Sequence, residues 1–199
     1  MANSNRHRKL IARIKNIERN LLPDVKLSGN YTKKESDLIR SYVLLVHAEI
    51  EAYFEDVALL KVQNALNKWL SNRQRSNILL SIMNFCSTDI NWEKRPNERN
   101  KAMVRVNIVV RHYIDLLSKN HGVKSNNLYN ILLPLGIEED ELDQTWLNTM
   151  DAFGQKRGLY AHSTHSVQTQ IDLVTERNAI NTQILPEIEN LDNLIMKLK

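Results

Sequence analysis

Apolar residues at Ile39, Val43, Val46, Ile50, Phe54, Val57 and Leu60 recur every three or four positions, and this stripe constrains the fold more than any other feature of the chain. Spacings that mix three and four keep side chains on one face of a helix with 3.6 residues per turn. The stripe predicts a helix to roughly residue 68, the longest and most periodic element of the sequence. Its start is marked by Thr32-Lys33-Lys34-Glu35, a capping box in which the threonine hydroxyl and the glutamate each satisfy a free backbone amide.

The same spacing recurs elsewhere. Leu10, Ile14, Ile17 and Leu21 predict a first helix, closed by Pro23 and Gly29. After shorter apolar pieces from Ile78 to Phe85 and a loop from Ser87 to Asn97, Met103, Val106, Val110, Tyr113 and Leu117 predict another helix, ending near Gly122. A brief turn from Leu128 to Leu133 leads to the acidic run Glu138–Glu141, where negative charge favours the start of a helix running toward Tyr160. A last helix, from about Thr169, sets Ile180, Ile184, Ile188, Leu191, Ile195 and Leu198 in register, with a kink expected at Pro186. No strand pattern and no repeat emerges. The expectation is an all-α bundle of four principal helices with additional short ones, forming one domain over residues 1–199. Residues 1–30 would supply an N-terminal helix and linker, and residues 31–199 the core.

Composition supports that reading by exclusion. A chain of 199 residues can bury a core that needs neither disulfides nor metals. With 5 glycines, 4 prolines, 42% hydrophobic and 25% charged residues, collagen, low-complexity disorder and membrane barrels lose their support. The single cysteine, Cys86, can form no intrachain disulfide and no CxxC pair, which suits a reducing compartment and a buried thiol. No apolar run is longer than Tyr42–Val46, and Arg6, Arg8, Lys9, Arg13 and Lys15 interrupt the N-terminus, so neither a spanning helix nor a signal peptide is expected. The net charge of +4 is uneven: residues 1–40 carry 10 basic against 4 acidic side chains, residues 93–124 carry 8 against 3, and residues 125–199 carry 5 against 11. Two basic segments make a polyanion a candidate partner; solvated helix faces are the plainer account.

Phosphate-binding glycine loops, HExxH and GxSxG are all absent from the sequence. Three of the 6 histidines, His47, His112 and His162, sit where chemistry could use them. Gly154-Gln155-Lys156-Arg157-Gly158-Leu159-Tyr160-Ala161-His162 stands out, because each glycine weakens a helix by about 1 kcal/mol relative to alanine. Close approach of a partner helix or a ligand is the usual reason. His47 and Glu51, four residues apart, read as an ordinary helical pair. His162 and His165 lack a third metal ligand at a persuasive spacing.

Arg157-Gly158-Leu159-Tyr160-Ala161-His162 resembles the signature of the HEPN superfamily, an arginine followed by four to six residues and a histidine near the end of a helix in a small all-helical protein. The stretch from Tyr42 to Asp56 is similar to the corresponding helix of the RiboL-PSP-HEPN branch, so the resemblance covers about residues 31–199. Arg40 with His47 and Arg105 with His112 also fit the spacing, but both pairs lie inside long periodic helices with no glycine nearby. Where the family usually has a polar residue after the arginine, this chain has Gly158.

The resemblance implies a HEPN-like all-α homodimer in which two Arg157/His162 pairs face each other. It implies metal-independent cleavage of single-stranded RNA by the RNA's own 2′-hydroxyl, leaving a cyclic phosphate, with no cofactor. It also implies a toxin or phage-defence role in the bacterial cytoplasm, with no membrane association and with an antitoxin or other regulatory protein as partner. The residue types fit. Histidine exchanges protons near neutral pH, and arginine offers a planar fork of donors to phosphoryl oxygens. Glu49, at the edge of the stripe Leu38, Tyr42 and Leu45, would orient Arg157 or His162, and Tyr160 would stack on a base or belong to the core. Lys156, Arg99, Lys101 and Arg105 would follow the RNA backbone. The alternative reading is a non-catalytic HEPN module that binds RNA or a nucleotide or acts as a helical scaffold. Five residues turn a helix by about 500°, so Arg157 and His162 would point about 140° apart on an intact helix. Either the helix ends before His162, or a second copy completes the site.

Overall fold

The computed structural model describes residues 3–98, 100–162 and 171–198, and among them every regular element is helical. The elements are α1 (Asn5–Leu21), α2 (Lys33–Asn72), α3 (Asn77–Cys86), α4 (Ala102–Lys119), α5 (Ser125–Leu132), α6 (Gln144–His162), α7 (Leu173–Asn178) and α8 (Leu185–Lys197). Short 3-10 turns cover Leu133–Leu135 and Glu139–Glu141, and a wide π turn, Ala179–Ile184, joins α7 to α8. The protein is an all-α helical bundle, as its apolar spacing predicts. No helix among the described residues is long and apolar enough to cross a membrane.

The capping box forms as its sequence pattern requires. Glu35 N–H donates to Thr32 Oγ1 at 3.3 Å, and Thr32 N–H donates to Glu35 Oε2 at 2.7 Å. The Lys26 ammonium reaches the same carboxylate at 2.6 Å, and this bond, ahead of those from Thr32, holds Glu35 down at about 2. A carboxyl held low in the folded state adds stability above its ordinary value of 4.5 and loses it as pH falls toward 2. In Lys26→Ala, Glu35 is expected to titrate closer to the ordinary carboxylate range, read by carboxyl-carbon NMR, and acid unfolding to begin at higher pH.

Ile39, Val43, Val46, Ile50, Phe54 and Val57 are all fully buried, whereas Leu60 is 40% exposed and burial passes to Ala58, Val62 and Ala65. A seven-residue apolar repeat drifts about 20° per heptad around a straight helix, so the tail of the stripe turns out of the core.

The helices group into two compact units. The first comprises residues 1–53, 122–125 and 143–193, and the second residues 54–121, 126–142 and 194–199. In the first, α1 is tied down by polar contacts at both ends. Ser4 caps it by accepting from His7 N–H, while Ser4 N–H and Oγ donate to the fully buried Asp192 at 2.7 and 2.6 Å. Tyr53 Oη donates to the same carboxyl group at 2.8 Å. Toward the other end of α1, Glu18 pairs with Arg177 at 2.6 Å. In the second unit, Tyr113 Oη donates to the Ile131 carbonyl at 2.6 Å and Ser81 Oγ to that of Leu133 at 3.0 Å. Cys86 is a free, buried thiol, pushed up to about 11 chiefly by that burial.

Two local expectations change. The acidic run does not open a helix; it forms its own 3-10 turn, with a capping box between Glu138 and Glu141. The start of α6 is set instead by Asp143, whose Oδ1 accepts Trp146 N–H at 2.6 Å, the stronger local signal. At Pro186 the break takes the form of the π turn just before it, in which Leu185 N–H reaches back five residues to Ile180 O. A wide turn gives room to a ring that would crowd the carbonyl four residues earlier in a regular helix.

Candidate functional site

All of the motif from Gly154 to His162 lies on α6, in the first unit. The helix continues through His162, so Arg157 and His162 leave one unbroken helix about 140° apart. The His162 side chain lies outside the described residues. The two glycines have different surroundings. A Cβ on Gly154 would lie 2.6 Å from Lys124 Cγ, so a lysine side chain crosses its backbone. A Cβ on Gly158 would meet nothing within 4 Å among the described residues. Close approach therefore accounts for Gly154, by a side chain rather than a helix, and the backbone at Gly158 is left open.

Arg157 is exposed, and no hydrogen bond or ion pair joins its guanidinium to another described residue. Its field falls on His47, which is only 2% exposed. The imidazole lies against Phe153 of α6, ring centroids 5.5 Å apart, with Nδ1 3.5 Å from Glu51 Oε2. Glu51 Oε1 also accepts Gly122 N–H at 2.8 Å, tying the loop before α5 to α2. Burial lowers the His47 pKa most; Glu51 opposes that shift and Arg157 adds to it. A pair whose spacing alone marks it as ordinary is thus packed under α6 beside the motif arginine. The sequence signal for this is the placement of His47 next to Val46 and four residues from Val43, within the apolar face of the spine helix.

The lowered pKa has a definite sign. An imidazole harder to protonate when folded than when unfolded lets the unfolded chain bind the proton first, so stability falls as pH drops below the ordinary value of 6.5. His47→Gln is expected to flatten this acid limb, seen as a smaller change in thermal midpoint between neutral pH and pH about 5.

The remaining candidates are spread over both units. Glu49 does not serve Arg157; its Oε1 accepts from Arg13 Nε at 2.9 Å. Positions 47 and 49 are about 200° apart around α2, so only one of them can face α6. Tyr160 is half-buried against Ile39, Ile171 and Leu173, and its hydroxyl donates to Glu176 Oε1 at 3.1 Å. Burial, ahead of the Glu176 carboxylate, raises its phenol well above the ordinary range. It packs on the core side of α6, the second of the two roles its sequence position suggests. Lys156 Nζ donates to the same Glu176 oxygen at 2.7 Å, so its charge is balanced within the unit. Arg105, in the second unit, stacks its guanidinium 4.7 Å from the centre of the Trp92 ring and clamps the loop before α4. Lys101 is exposed at the N-cap of α4, and Arg99 lies outside the described residues. No group of three or more histidine, cysteine, aspartate or glutamate side chains among the described residues is arranged to hold a metal ion.

A family model described as RiboL-PSP-HEPN matches residues 5–197, so the match takes in α1 as well as the region from residue 31 onward. No curated protein and no solved structure matches the chain.

Proposed function

The chain belongs to the RiboL-PSP-HEPN family, whose HEPN domains suggest a ribonuclease-like or nucleotide-binding role, and from that premise we propose that it is a metal-independent endoribonuclease of toxin or phage-defence type. The observation that carries the proposal is Arg157. It is an exposed guanidinium engaged by no described partner, next to the open backbone of Gly158 and at the motif position on α6. Lys156, Arg105 and Glu49, by contrast, all have partners within the chain.

In this reading the His162 imidazole takes the proton from a ribose 2′-hydroxyl, whose oxygen attacks the adjacent phosphorus. The bond to the 5′-oxygen breaks, that oxygen leaves with a proton returned by the histidine, and a 2′,3′-cyclic phosphate remains. Arg157 donates to the phosphoryl oxygens as their negative charge grows. The two motif positions are about 140° apart around α6, and in this reading a homodimer completes the site with a second motif. An antitoxin or other regulatory protein would restrain the activity.

The test is to incubate the purified protein with end-labelled single-stranded RNA in excess EDTA and to analyse the product ends. Cyclic phosphate and 5′-hydroxyl ends are expected. Gly158, in place of a polar residue, favours the non-catalytic RNA-binding or scaffold reading, and RNA bound without any cleavage would establish that reading instead. Gly158→Ala adds a further check. A methyl group there clashes with no described residue and should stabilise α6 by about 1 kcal/mol. If a second copy or the RNA passes over that backbone, the thermal midpoint rises while turnover falls.

A further inference from the structure

The connection from α4 to α5 lays one side chain on α6. Gly122 N–H donates to Glu51 Oε1 at 2.8 Å, Val123 is fully buried, and Ser125 N–H and Oγ donate to Asp151 Oδ1 at 2.8 and 2.9 Å. Residues 122–125 are thus tied to α2 on one side of Lys124 and to α6 on the other, all within the first unit. Lys124 is exposed, and its side chain runs across the backbone of Gly154, where an added Cβ would lie 2.6 Å from Cγ and 3.3 Å from Cε. The closest contact is at Cγ, near the tethered backbone, so the lysine cannot clear a Cβ by swinging its tip aside. Glycine weakens a helix, and at 154 the group it makes room for is Lys124.

Positions 154 and 157 are about 60° apart around α6 and about 4.5 Å apart along it, and 158 is about 40° from 154. Lys124 therefore lies on the face of α6 that carries Arg157, where Gly158 adds no side chain. No hydrogen bond or ion pair joins the Lys124 ammonium to another described residue. Asp151, three residues before Gly154, has both carboxylate oxygens engaged by Ser125. Two cations without partners thus share one turn of helix.

We propose that Lys124 is a further substrate-binding residue of the cleavage site, holding the RNA phosphate next to the one at Arg157; the proposal rests on the ribonuclease reading of α6. Neighbouring cations without a counter-ion suit a ligand whose anionic groups recur along a chain, as phosphates do. The roles divide by chemistry. An ammonium is a point charge on a flexible stem, fit to hold a phosphate that does not react, whereas the planar fork of Arg157 suits the oxygens that gain charge. A contact made equally before and during the reaction lowers KM and leaves kcat unchanged.

The test uses Lys124→Met, which keeps the aliphatic stem over Gly154 and removes the charge, and Lys124→Arg, which restores the charge. Two quantities are measured on the full chain: steady-state cleavage of end-labelled RNA in excess EDTA, and the salt dependence of binding to single-stranded 2′-O-methyl decamers, which lack the hydroxyl needed for cleavage. In Lys124→Met, KM should rise about 10-fold at low salt with kcat within about twofold. The slope of log affinity against log salt should become shallower by about 0.7, the share of one phosphate on a single strand. The loss should be equal for uridine and adenosine decamers, which share the phosphate and differ in the base. Lys124→Arg should recover KM and slope, with all thermal midpoints alike. An unchanged KM and slope in Lys124→Met overturns the proposal, and so does a loss that Lys124→Arg fails to reverse or that comes with a lowered midpoint, which would assign the lysine to packing. If wild type binds the decamers but cleaves nothing, the ribonuclease reading fails and the slope still decides Lys124. If wild type cleaves and Lys124→Met matches it, only the Lys124 assignment fails; if wild type binds no decamer, both fail.

Discussion

His162→Ala is expected to lower cleavage of single-stranded RNA by about 10²–10⁴-fold, the usual contribution of a positioned general acid or base. Arg157→Ala should lower it by about 10²–10³-fold, since in the proposed reaction the guanidinium would stabilise charge that appears only as the phosphorus is attacked. The arginine substitution is informative because it should not disturb the fold. Arg157 is exposed and joined to no described residue, so its loss should shift stability by no more than about 0.5 kcal/mol. Arg157→Lys keeps the charge and loses the planar fork, and should recover only part of the activity. End-labelled RNA in excess EDTA, with thermal midpoints measured on the same preparations, checks all three variants. Wild-type rates in the alanine variants would remove both residues from the chemistry.

The largest effect on stability is expected at Asp192. Its carboxyl group, fully buried, accepts from Ser4 N–H, Ser4 Oγ and Tyr53 Oη. Burial, with the Asp192 contact second, raises the Tyr53 phenol far above its ordinary range, so Tyr53 acts as a donor and not as a second anion. Asp192→Ala strands three donors at once. At about 1 kcal/mol or more for each, the loss is about 3 kcal/mol, which for a chain of this size lowers the thermal midpoint by roughly 6–12 °C. Asp192→Asn retains one oxygen acceptor and should lose less than half as much. Because Ser4 belongs to the start of α1, the alanine variant should also show faster amide exchange in α1 than in α4.

Local pattern carries much of this fold in the amino-acid sequence itself. The stripe from Ile39 to Val57 and the Thr32/Glu35 box depend on neighbours within a turn or two of helix, and each takes the form its spacing predicts; the run Ile180–Ile195 is buried as its spacing predicts, although its first residues lie in the wide turn. The roles of Glu49, Tyr160 and Lys156 depend instead on which distant residue faces them, and spacing does not carry that information. Arg13 arrives at Glu49 from α1, and Glu176 arrives at Tyr160 and Lys156 from α7. Distance in sequence also hides His47, whose proximity to Arg157 comes from the packing of α2 against α6 at Phe153. In the acidic run, charge alone points to a helix start at Glu138–Glu141, but the start belongs to Asp143, whose side chain can cap because it stands one position before Gln144.

The wide turn at Ala179–Ile184 bears on how this chain can vary in length. Such a turn holds one residue more than an α-helix of the same rise. Removing a residue at the start of α8, such as Glu187, would rotate everything after it by about 100° and carry Ile188, Leu191 and Ile195 out of the core. Removing one between Asn181 and Gln183 would close the turn into ordinary helix and leave those three side chains where they are, provided Pro186 is replaced as well, since its ring would then stand inside a regular turn. The extra residue and the proline thus constrain each other, since deleting the residue alone would set the ring inside a regular turn.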